Sequence, residues 1–264
     1  MYAIDAGDDA SPVILHVPHS SRTIPSDLLP TYHLTPEGLE AELDAMTDAY
    51  TADLALAAQA AAQPTPWVVR NTLSRLVMDP ERFPDDREEM EQAGMGVFYT
   101  HTSTGAPLRH PITGAQRDEA LMSLYWPYAT ALADLVDDRL AATGQAIILD
   151  IHSYPRQALP YELHQEQPRP PICLGSDPFH TPTWLQAAAH AAFGVDTVQP
   201  GPFTGTYVPL RHYQTCATVT SLMIETRRDT YLTASGGLDR DGTAWWVNCL
   251  SQLLHAISRS PARV

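Results

Sequence analysis

Residues 146–155 read AIILDIHSYP, and the reading of this stretch decides the fold. Four apolar residues, Ala146–Leu149, lead into Asp150, His152 and Ser153, and Pro155 follows. A short apolar run closed by a proline predicts a buried strand. The polar residues gathered at its C-terminal end call for a separate explanation.

Comparable runs recur on both sides. PVILHVPHS (12–20) predicts a buried strand ending at Pro18, and WVVRN (67–71), RLVMD (75–79), PICLG (171–175) and TVTSLMIET (218–226) predict further strands. Helical stretches lie between them. Residues 36–63 predict one or two helices, capped by Thr35 and opened by Pro36. Residues 118–144 predict a helix bent near Pro127 and closed by Gly144, and 181–194 and 238–258 predict two more. Strands alternating with helices indicate an α/β fold: a single domain spanning 1–264, with a mixed, mostly parallel sheet flanked by helices. Residues 80–116, rich in Pro, Gly, Asp and Thr, predict a long functional loop, either a lid or a pocket wall.

The chain has 264 residues, enough to bury a core without staples. With 44% hydrophobic and 18% charged residues it is globular, and no stretch approaches the ~20 apolar residues of a membrane span. The N-terminus lacks the pattern of a secretory signal, so the expected location is the cytoplasm. A net charge of −15 excludes nucleic acid and anionic membranes as partners. The arginines nevertheless sit in or beside apolar runs, which suggests local anion sites. Three widely spaced cysteines (173, 216 and 249) support neither a disulfide framework nor a thiolate zinc site, so any metal must use histidine and carboxylate.

Three apolar runs end in ionisable groups: His19, His152 and Glu225. Ligands bind at the carboxyl ends of strands in open α/β sheets, so parallel neighbours would bring these three together. Two imidazoles and a carboxylate suit zinc, and a carboxylate near the metal suits a general base. Asp44 and Asp48, four apart on a predicted helix, both qualify as a third ligand. His16, inside its strand, reads as a satisfied core histidine, and most of the other histidines read as turn residues. NTLSRLVMDPER (71–82) groups Arg75, Asp79 and Arg82, either as a carboxylate clamp or as an internal ion pair. GPFTGTYVPLRHY (201–213) places Gly205 where backbone can approach a ligand, and leads to Arg211 and His212. There is no HExxH, phosphate loop, GxGxxG after a strand or GxSxG elbow.

Taken in order, VPHS, the TD at 47–48, SRLVMDPER, TGAPLR (104–109), DIHSYP, PFTGTY, RHY and IETRRDTYL make the chain resemble the N-formylglutamate amidohydrolase family from about residue 12 to 233. The resemblance implies a phosphorylase/hydrolase-like fold related to zinc carboxypeptidases and aspartoacylases. It also implies hydrolysis of a small N-acyl amino acid such as N-formyl-L-glutamate, a step in histidine degradation. It makes His19, Asp48 and His152 ligands of one zinc ion, with Glu225 activating water and Arg75, Arg82 and Arg211 at positions suited to holding substrate carboxylates; in the mechanism this suggests, Arg75 or the zinc itself polarises the carbonyl. Read from the residues themselves, Arg82, Arg211, His212 and Gly205 are candidates to bind an acidic small-molecule substrate, and Asp150 and Ser153 to support the ligands. The family pattern is broken at Ser21-Arg22, Tyr128-Ala129 and Gly205-Thr206, which leaves the acyl amino acid open. The expected assembly is a monomer or small homo-oligomer. Two alternatives use the same residues: a non-catalytic carboxylate- or metal-binding protein, and a zinc peptidase with an open groove.

Overall fold

The structure is a computed structural model that describes residues 1–194, 198 and 201–258. In chain order its elements are β1 (Tyr2–Asp5), β2 (Val13–Val17), α1 (Pro36–Met46), α2 (Thr51–Ala61), β3 (Trp67–Asn71), α3 (Gly114–Ala120), α4 (Trp126–Thr143), β4 (Ala146–Tyr154), β5 (Ile172–Gly175), α5 (Thr183–Phe193), β6 (Val219–Arg227) and α6 (Arg240–Ser258). The strands form one mixed sheet in the order β1-β3-β2-β4-β6-β5. The four inner strands are parallel, and β1 and β5 close the edges antiparallel.

The opening stretch proves longer as a strand than its apolar half suggests. All nine residues of β4 are buried, and Pro155 ends it. Its side chains alternate between two cores. Ile147, Leu149 and Ile151 pack with α2, α5 and α6, whereas Ala146 and Ile148 pack towards Leu132 and Val136 of α4. Burial on both faces is why the strand reads as a continuous apolar run. Asp150 and His152 occupy the next even positions, beyond Ala146 and Ile148 on the α4 face. Register extends that face across the sheet: His16 of β2 lies opposite Asp150, and Glu225 of β6 lies opposite His152. The polar end of AIILDIHSYP is therefore continued sheet, with its even side turned to a cavity.

The helices follow from local chemistry. The Thr35 side chain accepts from Gly38 N–H and caps α1, with Pro36 at its first position. Between α3 and α4 the helix widens into one π turn, Leu121–Tyr125, next to Pro127, whose missing N–H removes a bond from the helical ladder. This irregularity falls beside Pro127, where the sequence predicts a bend. Two local expectations differ. RLVMD is not a strand: Ser74 closes a turn by accepting from Leu76 N–H at its hydroxyl and from Val77 N–H at its carbonyl, and Leu76 and Val77 enter different clusters. Conversely, Tyr2–Asp5 forms the edge strand β1, which weak alternation near the terminus concealed. No helix among the described residues is long and apolar enough to cross a membrane.

Leu149 is fully buried at the centre of the larger core. Leu149→Ala should cost about 2–5 kcal/mol through lost transfer and a cavity. A denaturant titration that shows the midpoint unmoved would contradict this packing.

Candidate active site

His19 stands two residues beyond β2 and His152 sits within β4. Asp48 lies in the link between α1 and α2. It is therefore not on a helix face with Asp44: α1 stops at Met46, and Thr47 turns extended at ψ 133°. Asp44 stays at the surface, paired with Arg22 at 2.6 Å. Asp48 turns inward, and its N–H donates to the His19 carbonyl at 3.0 Å. Tyr50, two residues on, takes the left-handed φ of 62°, uncommon for a side chain of its size, and this reverses the chain into α2.

Three donor atoms meet here. His19 Nδ1 and His152 Nδ1 are 3.3 Å apart, and Asp48 Oδ2 lies 3.2 Å from His152 Nδ1 and 3.7 Å from His19 Nδ1. The outer nitrogens of both rings face acids. His19 Nε2 is 2.9 Å from Asp79 Oδ1, and His152 Nε2 is 3.1 Å from Asp150 Oδ1 and 3.2 Å from Glu81 Oε1. With the outer N–H groups donated to these acids, both rings turn Nδ1 towards Asp48, and once Nδ1 is deprotonated the three atoms form an arrangement able to hold a metal ion. Asp150 is fixed in turn by His16 Nδ1 at 2.8 Å and by the Tyr207 N–H at 3.1 Å, while the Tyr128 hydroxyl meets His16 Nε2 at 2.7 Å. His16 is thus the hydrogen-bonded core histidine that its position suggests.

Electrostatics set these groups apart. Burial alone would raise the Asp48 carboxyl, but hydrogen bonds from His152 and His19 hold it below the ordinary carboxylate range. Asp79 is likewise held well below that range, against burial, by His19, Arg75 and Arg82. Glu225 behaves oppositely. Burial, with Asp48 adding to it, pushes this carboxyl up to about 8, and its Oε2 is buried without a hydrogen-bond partner. It lines the same cavity of about 500 Å³ as His19, Asp48 and His152.

Arg75 makes the internal pair, with Nη2 2.8 Å from Asp79 Oδ2, while its Nε–H donates to the Tyr99 hydroxyl. It still lines the cavity, as do Arg82, Gly205 and Ser153. The Arg228 guanidinium holds the far side, with Nη2 3.5 Å from Asp48 Oδ1 and Nε 3.3 Å from Ser153 Oγ. Arg211 and His212 do not reach the cavity. Arg211 is exposed and bridges Asp134 and Asp137 of α4 at 2.7 and 2.5 Å, and His212 Nε2 meets Asp137 at 2.8 Å. A turn in which His212 N–H bonds back to Pro209 aims both side chains at α4. Of the positions that break the family pattern, Arg22 is a surface residue, Tyr128 lies beneath His16, and Gly205-Thr206 form cavity wall. Residues 80–90 also supply cavity wall, through Glu81, Arg82, Phe83 and Arg87 among others, as expected of that loop. Sequence reasoning missed Glu81 and Arg228 as members of the cluster. Arg228 follows Glu225 by three residues, and its position just past a strand end was the available signal.

The family model described as FGase, N-formylglutamate amidohydrolase, matches residues 11–232. The chain belongs to this family. The fold agrees: an N-formylglutamate amidohydrolase from Ralstonia eutropha JMP134 superposes with a TM-score of 0.80 at 20% identity, covering 97% of this chain and 96% of that one. A gene product of Agrobacterium tumefaciens superposes with a TM-score of 0.70, also at 20% identity, covering 96% and 92%. No curated protein sequence matches significantly. The resemblance read from eight short motifs is thus borne out over most of the chain, and family membership makes the protein an amide hydrolase.

Proposed function

We propose that this amidohydrolase is metal-dependent and cleaves the amide of a small N-acyl amino acid, the class to which N-formyl-L-glutamate belongs. The observation that carries this reading is the triangle of His19 Nδ1, His152 Nδ1 and Asp48 Oδ2, with sides of 3.2–3.7 Å and both outer ring nitrogens held by acids. These atoms would hold one divalent ion, with zinc the natural choice for nitrogen and oxygen donors. Charge supports a bound cation: Asp48, Asp79, Glu81 and Asp150 stand around the triangle against Arg75, Arg82 and Arg228, and a cation there would also lower the raised Glu225 carboxyl so that it can act as a base. When bound, such an ion supplies a water acidified towards a pKa of ~7 and a Lewis acid for the carbonyl.

The protein's own groups do the rest. Glu225 takes the proton from the attacking water at its unpartnered Oε2 and returns it to the leaving amine. Arg75, held by Asp79 and Tyr99, presents positive charge to the developing oxyanion without reorganising. Arg82 receives the substrate carboxylate. Asp79 and Asp150 keep the His19 and His152 rings in the tautomer that frees Nδ1. A small-molecule substrate fits a cavity walled by residues 80–90; an extended peptide groove is not needed. In the test, turnover of N-formyl amino acids should vanish on chelation and return with zinc. Full turnover after exhaustive chelation would defeat the metal-dependent reading, and ligand binding without turnover would favour the non-catalytic alternative.

A further inference from the structure

The cavity is built for more, and for less, than N-formylglutamate. An apolar cavity of ~150 Å³ holds one benzene, so about 500 Å³ accommodates some twenty non-hydrogen atoms against about a dozen in N-formylglutamate. The surplus wall is aromatic. Phe83 and Tyr213 lie 5.9 Å apart, Tyr125 and Tyr207 continue that wall, and Phe203 faces the cavity from beside Tyr154 at 5.3 Å. Such rings have large apolar faces to offer, and a formyl group, with a single carbon, has none to place against them.

The charges point the same way. Among the described residues, four arginines line the cavity: Arg75, Arg82, Arg87 and Arg228. Three are engaged: Arg75 by Asp79 and Tyr99; Arg87 by Asp85 at 2.7 and 2.8 Å; and Arg228 by Ser153, two carbonyls of α1 and Asp48. Arg82 alone of the four has no hydrogen bond to a described residue and is held only by ion pairs. Its nearest acids, Asp79 and Glu88, stand at 3.5 and 3.7 Å, and its Nε is buried without a partner. A guanidinium fork held only by these two longer ion pairs can take one carboxylate bidentately. A second substrate carboxylate would instead meet the wall acids Glu81, Glu88, Glu162 and Asp177.

Resting on the hydrolase reading above, we infer that the preferred substrate is an N-acyl amino acid with one carboxylate and an aromatic group, held between Arg82 and the Phe83–Tyr213 wall. The aromatic group can enter from the acyl side or from the amino acid. Zinc-loaded protein should be assayed with N-formyl-L-glutamate, N-formyl-L-phenylalanine and N-benzoylglycine. At least one aromatic probe should exceed N-formyl-L-glutamate by tenfold or more in kcat/KM, and which one does so identifies the side. Calorimetry on metal-free protein should rank binding of the same three compounds alike. Phe83→Leu should reduce the preference at least threefold. If N-formyl-L-glutamate is best, or equal within tenfold, the aromatic inference is overturned and the hydrolase reading stands. If none of the three is turned over, both fall.

Discussion

Glu225→Gln should lower kcat by about 10²–10⁴-fold, the usual contribution of a positioned general base, with zinc content unchanged. Glu225 lies opposite His152 in the register of β6 against β4, so its side chain emerges on the same face as the His152 ring and the proposed metal triangle. Its Oε2 is buried and has no partner, an unusual state for a carboxylate unless the partner arrives with the substrate. An amide of the same shape keeps the packing but cannot take a proton from water. Parallel measurement of turnover and bound metal isolates the proton transfer. A variant within threefold of wild type would remove Glu225 from the chemistry.

The same substitution should stabilise the metal-free protein at alkaline pH. Burial pushes the Glu225 carboxyl up to about 8, so the folded chain keeps a proton that the unfolded chain releases near the ordinary carboxylate value. Between about pH 4.5 and 8 the native state therefore binds more protons than the unfolded state, and stability falls as pH rises. Glutamine carries no such penalty. At about 1.4 kcal/mol per unit, the advantage of Glu225→Gln should reach a few kcal/mol by pH 8.5 and shrink towards pH 4.5. Denaturant midpoints across this range check the sign. A gap that widens towards acid would mean that Glu225 is ionised and paired in the metal-free fold. A variant that loses activity while gaining stability is the signature of a group held against its own solvation for function.

Much of this was legible in the sequence because the inner strands are parallel. Strands buried on both faces leave a continuous apolar signal, and their polar residues collect at the carboxyl ends, so His19, His152 and Glu225 stood out by position. Edge and turn segments were harder. RLVMD has strand composition, yet Ser74 offers the backbone a turn, and the apolar residues are absorbed by two cores without pairing. The choice between Asp44 and Asp48 was beyond periodicity, because it depends on a helix that stops two residues before Asp48 and on the left-handed Tyr50. Arg211 misled for a related reason. An arginine in a Gly/Pro-rich stretch looks like an anion site until the turn is seen to point it at two aspartates of α4. Arg82 and Arg211 both follow a proline-bearing stretch, and only the structure shows that one lines the cavity while the other faces α4.

The pH dependence of zinc binding should count the imidazoles that hold the ion. In the metal-free protein, burial lowers the His152 pKa, but Glu81, Asp150 and Asp48 outweigh it and hold the ring well above the ordinary histidine value. His19 is also raised, because Asp79 and Asp48 outweigh burial and Arg75. Each ring must release a proton from Nδ1 before that nitrogen can bind metal, so affinity falls as pH drops below both values. Two coupled losses give up to about 100-fold per pH unit, against about tenfold for one. His152→Ala should therefore weaken zinc at neutral pH by at least about 10³-fold and reduce the slope towards tenfold per unit. Asp150→Asn keeps the ligand and loses only its support, so it should cost about 10–100-fold. Competition titrations with a chromophoric chelator between pH 5.5 and 8 give both quantities. A slope unchanged by His152→Ala would show that the ion is held elsewhere. A slope halved with Asp48 and His19 intact would place His152 among its ligands, because lost packing alone weakens binding at every pH and does not remove a proton from the count.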